Sequence, residues 1–426
     1  ERLQIEASRF VELINIFKIL SDLGLGHLTL ERSLASLSTG EYQRIRLARA
    51  LYLKIRKALL VIEEPSHGLH PLDIQNLIKF LNLIKLQQNT LLIEDNHPNL
   101  IDAADPVIKL GPASGINGGN IVSAGDPDQN QTTKVVKNNK NLHTQANEKI
   151  TLKGLSLNNL KIEEISFPLN NLISVSGVSG SGKSSLIIKT LYPLLKIYLK
   201  SKTNEAAQSF NVKYFEVPSC LTSLRALWES ETKDSTFSTV ATYSGLSKEI
   251  RKILSGTILA RSLGLKPIDF SLQNKKSNSE IYRVRYLGFS ILDFNQMTVS
   301  ELASTLENHK KIQAIFNNLK KVNLDYLPLE QANSSLSSGE LQRLKIATTI
   351  STSINGTLYI FDEPTSGLSK EEVILLISFF QEIISKGNSI IAIEHNETFL
   401  TNSDYIIDLG PGAGSKGGNL IFAGFN

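Results

Sequence analysis

Short continuous apolar runs recur along the chain, and each stops abruptly on polar residues. LLVIEEP (59–65), LYIFDEP (358–364) and IIAIEH (390–395) read as buried strands that end in carboxylates or a histidine. LISVSGVSGSGKSSLIIKTL (172–191) reads as a β-branched strand, a glycine-serine loop and an amphipathic helix. LSTGEYQR (37–44) and LSSGELQR (336–343) read as serine-glycine turns that open helices. In contrast, DPDQNQTTKVVKNNKNLHTQANEK (126–149) has almost no large apolar residue to offset its ordering entropy, and reads as an exposed linker. No apolar run reaches the roughly eighteen residues a membrane-spanning helix needs.

The pattern repeats. SLSTGEYQRIRLA (36–48) returns 299 residues later as SLSSGELQRLKIA (335–347). At the same offset LLVIEEPSHGL (59–69) returns as LYIFDEPTSGL (358–368), and DPVIKLGPASGINGGNIVSAG (105–125) as DYIIDLGPGAGSKGGNLIFAG (404–424). The expected organisation is α/β, with two copies of one module: residues 1–125 as the later part of the first, 126–150 as linker, and 151–426 as the second, with a helical, basic insertion at about 196–320. The first copy's counterpart of Gly177 would fall before residue 1. With Glu1 first and Met297 the only methionine, the chain is expected to come from a longer protein.

Composition adds little. The 426 residues, 41% hydrophobic and 20% charged, suit a globular protein of two or three domains. A net charge of +4 permits an anionic partner without requiring one. One cysteine, Cys220, excludes an intrachain disulfide and any cysteine-based zinc site. A soluble, cytoplasmic protein is the expectation.

The chemistry concentrates in the second copy. Gly177, Val178, Ser179, Gly180, Ser181, Gly182, Lys183 and Ser184 match G-x-x-x-x-G-K-[ST] between a strand and a helix, with Ser185 next. Glycines there let backbone N–H groups close around phosphates, and the helix N-terminus adds a positive dipole. Lys183 is expected to reach the β- and γ-phosphates, and the Ser184 hydroxyl to bind Mg2+. Asp362 is placed to hold the magnesium shell, Glu363 to activate water and His395 to sense the γ-phosphate. The two serine-glycine turns offer further anion sites, although each alone could be a helix cap.

These residues resemble the ATP-binding cassette superfamily, and more narrowly the UvrA family, the damage-recognition ATPases of bacterial nucleotide excision repair. The resemblance rests on Gly40-Glu41 and Gly339-Glu340, each followed by Gln-Arg, on NNLKIEEISFPLNNLISVSGVSGSGKSSL (158–186), and on the paired D-x-x-I-x-L-G-P…GG…AG tails. It implies tandem cassettes paired head to tail, with Ser38 and Gly40 closing the site of Lys183, Asp362, Glu363 and His395. It further implies ATP and Mg2+ as ligands, double-stranded DNA as partner, a homodimer and a UvrB-like partner protein. Three features depart from the family. Glu63 stands where Asp is usual, with Glu64 as candidate base, and Asn96 stands at the histidine position beside His97. The zinc-binding cysteine pairs are absent, so no zinc is expected. No glutamine is evident near YFEVPSCLTS (214–223), where the family has one.

Lys248, Arg251, Lys252, Arg261, Lys266, Lys275, Lys276, Arg283 and Arg285 crowd residues 248–285 against only three acids. They are the candidate phosphate contacts; the plainer reading is a solvated helical face. Two rival readings stay open: a divergent paralogue in drug resistance or DNA protection, or a non-DNA ATPase such as a transporter motor or translation factor.

Overall fold

A computed structural model describes residues 11–26, 28–34, 37, 39–53, 55–66, 71–111, 119–126, 148–178, 180–201, 210–228, 238–271, 279–350, 355–412 and 414–426. In the first copy, helices Val11–Asp22 and Thr39–Tyr52 precede β1 (Leu59–Glu63). Helix Pro71–Leu86, β2 (Thr90–Glu94), helix Pro98–Asp102, β3 (Val107–Gly111) and β4 (Asn120–Gly125) follow. β1 and β2 pair in parallel, and β3 and β4 form an antiparallel hairpin.

The second copy begins with β5 (Lys149–Leu155), β6 (Ile162–Pro168) and β7 (Leu172–Gly177). β8 (Tyr214–Glu216) and β9 (Ser223–Leu227) come before the helices, and β10 (Thr357–Asp362), β11 (Ser389–Ile393), β12 (Tyr405–Gly410) and β13 (Asn419–Phe425) after them. Six strands form one sheet in the order β13-β12-β7-β11-β10-β9, parallel except for β13, and β6-β5-β8 form a separate antiparallel sheet. β10 and β11 are buried along nearly their whole length because both faces of the large sheet are covered, which explains their unbroken apolar runs. One face packs on the loop-following helices and the antiparallel sheet, the other on helix Lys370–Ser385 and the helical layer.

The stretch 196–320 divides differently from its sequence reading. Residues up to Ser201 continue the helices behind the glycine-serine loop, while β8 and β9 complete the two sheets. Both strands are too short to give a clear period. The helical layer starts at Val240, after an N-cap at Thr239, and includes Leu246–Ser255, Ile258–Ser262, Ile291–Gln296, Val299–Thr305 and Lys310–Lys321. Among the described residues no helix is long and apolar enough to cross a membrane.

Equivalent strands in the two copies differ in what covers them. Leu59, Val61 and Leu92 are 63%, 70% and 52% exposed, yet their counterparts Leu358, Ile360 and Ile391 are fully buried. In the second copy the covering layer is β7 with Leu186, Ile187, Leu191, Leu194 and Leu195.

A buried arginine ties the layers together. Arg343, 2% exposed, donates from Nη1 to the Val322 carbonyl at 2.9 Å and pairs through Nη2 with Glu372 at 2.9 Å. Arg44 repeats the first bond to the Leu23 carbonyl at 3.2 Å. Arg343→Ala is expected to destabilise the fold by about 3 kcal/mol, because it strands a partly buried carboxylate and a carbonyl. Urea titration checks this; a change below about 1 kcal/mol would exclude such a role.

Candidate functional site

The glycine-serine loop is shaped by close backbone contacts. β7 ends at Gly177, whose φ of +135° and position 2.2 Å from the Leu409 carbonyl, measured from a would-be Cβ, leave no room for a side chain. Gly182, with φ +110°, caps helix Lys183–Leu186. Lys183 is 8% exposed, and its ammonium donates to the Gly177 and Val178 carbonyls at 2.7 and 3.1 Å. Ser181 is fully buried, Ser184 is exposed, and the Ser185 hydroxyl accepts from Asn158 at 3.2 Å. Ser179 lies outside the described residues.

The glycine-rich tail braces this loop from behind. Gly414 N–H donates to the Gly180 carbonyl at 3.1 Å and Gly418 N–H to the Ser181 carbonyl at 2.8 Å. The Gly418 carbonyl in turn accepts from Lys161 N–H at 2.7 Å, and Asn159 donates to the Gly414 carbonyl at 2.9 Å. The sequence marks this tail only as a repeated pattern. Its contact with the loop spans more than two hundred residues and has no local signal.

The acids lie at the ends of adjacent strands. β10 and β11 pair in parallel with Asp362 opposite Ile393, so the residues after each strand emerge side by side. Glu363 adopts φ +47°, a region costly for a residue with a Cβ, and its N–H donates to the Ile393 carbonyl at 3.0 Å. That geometry turns its carboxylate toward His395, with Nε2 and Oε1 3.4 Å apart. Gln342, on the helix that opens with the serine-glycine turn, donates to the Glu363 carbonyl at 3.2 Å. The loop lysine leaves the strand next to β11, so cation, acids and histidine share one end of the sheet.

The first copy repeats the scaffold with altered chemistry. Glu64 has φ +42°, matching Glu363, and its N–H donates to the Glu94 carbonyl at 2.8 Å. Glu94 is pushed above the usual carboxylate range, first by burial and then by Glu63, Glu64 and Asp95. Asn96 occupies the place of His395. His97 serves as the N-cap of helix Pro98–Asp102, its Nδ1 accepting from Asn99 N–H at 3.3 Å, and burial lowers its pKa. Its place in the chain is that of the cap Asn396, so it does not stand in for the missing histidine.

The copies meet at this site. The Ser338 hydroxyl donates to Glu64 Oε1 at 2.5 Å, so the second serine-glycine turn touches the end of the first copy's acidic strand. Gly367, which follows the second acidic strand, lies against the same carboxylate, with a would-be Cβ 3.1 Å from it. The expected reciprocal contact involves Gly40, at the start of helix Thr39–Tyr52, and Ser38, which lies outside the described residues.

A family model described as ABC transporter matches residues 243–366. UvrABC system protein A from Synechocystis is 34% identical over 453 residues, covering 96% of this chain and 46% of that protein. Its counterpart from Bacillus subtilis is 33% identical over 459 residues, covering 97% and 48%. The crystal structure of UvrA2 from Deinococcus radiodurans superposes with a TM-score of 0.84 at 32% identity, over 97% of this chain and 55% of that one. The chain has an ATP-binding cassette fold and is similar to UvrA proteins along nearly its whole length. It spans about half the length of the curated relatives it matches. RNase-L Inhibitor, at a TM-score of 0.54 and 16% identity, shares the fold alone.

In this chain the basic stretch is less uniform than its sequence. Lys252 pairs with Glu249 at 2.8 Å, Arg283 with Glu280 at 3.0 Å and Arg285 with Asp293 at 3.1 Å. Arg251 is half-buried on helix Leu246–Ser255, and its guanidinium pKa is lowered by that burial. Lys248, Arg261 and Lys266 are exposed, whereas Lys275 and Lys276 lie outside the described residues.

Proposed function

We propose that the chain hydrolyses ATP at the site of Lys183, Asp362, Glu363 and His395, and uses the cycle to grip and release double-stranded DNA in nucleotide excision repair. The observation that carries it is Glu363 turned toward His395 at the end of the sheet that also bears the glycine-serine loop. Lys183 would exchange its two loop carbonyls for phosphate oxygens, which hold an ammonium more strongly. The Ser184 hydroxyl and Asp362 carboxylate are hard oxygen donors of the kind magnesium takes. When bound, the ion offsets charge developing on the phosphoryl oxygens. Glu363 accepts a proton from water as the water oxygen bonds to the γ-phosphorus and the bond to ADP breaks. His395 steadies that carboxylate and the γ-phosphate beside it.

Ser38 and Gly40 would close this site from the first copy, beside Thr39, the repeat counterpart of the Ser338 that meets Glu64. The Glu63, Glu64 and Asn96 site would turn over poorly, since carboxylates crowd it and no imidazole takes the place of His395. A homodimer, a UvrB-type partner and a cytoplasmic location go with this reading.

Duplex binding across a salt series tests the DNA part. Lys248→Glu with Arg261→Glu should lower the slope of log K against log salt by about 2, near 0.9 per lost phosphate contact. Arg283→Gln should move it less, because that side chain already has an acidic partner. No salt-dependent binding would refute the DNA role. Equal affinity for damaged and intact duplex would favour the divergent paralogue, the alternative suggested by a chain with one cysteine.

A further inference from the structure

We infer that Glu394 is a positioning residue that locks His395 to the acidic turn, and that its extra methylene, compared with Asp95, helps make the second site the hydrolytic one. This rests on the ATPase reading above. Glu394 is 2% exposed. Its Oε1 accepts from the Thr365 N–H at 2.8 Å and the Thr365 hydroxyl at 2.6 Å. Its Oε2 accepts from the N–H groups of His395 at 2.8 Å and Asn396 at 3.0 Å. One carboxylate therefore joins the turn after Glu363 to the backbone of the histidine. These two segments set the 3.4 Å separation of Glu363 and His395. A buried carboxylate whose two oxygens each accept two hydrogen bonds holds its neighbours in one arrangement.

The first copy provides the comparison. Asp95 accepts from the Ser66 N–H at 2.9 Å, the Ser66 hydroxyl at 2.6 Å and the His97 N–H at 2.8 Å. The same turn position is braced, although Ser66 divides its two donors between both Asp95 oxygens whereas Thr365 directs both to one. Downstream, the shorter side chain bonds the helix-capping residue, and the Asn96 N–H is not among its described donors. Glutamate alone reaches the residue that bears the imidazole.

The test compares steady-state ATP hydrolysis, equilibrium ATP binding and thermal unfolding of the full chain carrying Glu394→Gln, Glu394→Asp, or Glu394→Asp with Thr365→Ser. The double variant copies the Ser66–Asp95 pair, an arrangement that this fold already accommodates. In each variant kcat should fall about ten- to a hundredfold, the range expected for a catalytic group displaced by about an ångström. KM, ATP affinity and Tm should hold within about twofold or 3 °C. Wild-type kcat in the aspartate variants would overturn the inference. A parallel loss of ATP affinity and Tm would also overturn it, since Glu394 would then only brace the fold. Glu363→Gln is the control. If it hydrolyses ATP as the wild type does, or the wild type does not hydrolyse ATP, the ATPase reading itself fails.

Discussion

Glu363→Gln should cut kcat for ATP hydrolysis by about two to four orders of magnitude, while the chain still binds ATP. Glutamine keeps the size and the left-handed backbone position of Glu363 but cannot take a proton from water. The groups expected to hold the phosphates belong to the loop and to Lys183 and are unchanged. The change should therefore appear in kcat and leave nucleotide affinity within a few fold, which single-turnover hydrolysis and equilibrium binding distinguish. Hydrolysis above about a tenth of the wild-type rate would mean that another group activates the water. The same substitution at Glu64 should leave bulk turnover nearly unchanged, because Asn96 beside it offers no imidazole like that of His395.

Gly418→Ala should unfold the loop region and abolish ATP binding, with a stability loss of more than about 4 kcal/mol. A Cβ at Gly418 would lie 1.8 Å from the Asn159 carbonyl oxygen and 3.1 Å from the Leu160 Cα. Both obstacles are backbone, so neither can turn aside as a flexible side chain would. Moving them would break the Gly418–Ser181 and Lys161–Gly418 bonds that support the loop. The backbone there, at φ +86°, already disfavours alanine. Gly119 is the internal comparison: it sits at the same repeat position with φ +78°, but among the described residues nothing lies within 4 Å of its would-be Cβ. Gly119→Ala should cost only its backbone preference, about 1–2 kcal/mol. Equal effects at both glycines in denaturant titrations would show that conformation matters there, and close approach does not.

Much of the site was legible because its chemistry is local. The loop pattern, the acids after LYIF and the histidine after IIAI each depend on a strand ending where polar residues begin, and short apolar runs record that directly. The repeat supplied the rest by comparison, pointing to Asn96 as a departure before any geometry was known. What stayed hidden depends on approach through space. Glu394 looked like one more residue between a strand and a histidine, although its partner Thr365 lies 29 residues away. The glycine tail carried a pattern without a stated purpose until Gly418 was found against Asn159. For the basic stretch the structure adds pairing that a count of charges leaves out, since Lys252, Arg283 and Arg285 each have an acidic neighbour.

The Ser338–Glu64 contact joins the two copies within a single chain. On the proposed ATPase reading, the two faces of a head-to-tail nucleotide sandwich would not have to find each other by diffusion. Covalent connection keeps each at an effective concentration on the order of millimolar around the other, above any ordinary working concentration of the protein. Closure around ATP would then be a folding-like step internal to the molecule, and turnover per chain should be indifferent to dilution. Proteolytic cutting between the copies should then restore a dependence on protein concentration to a reaction that had none.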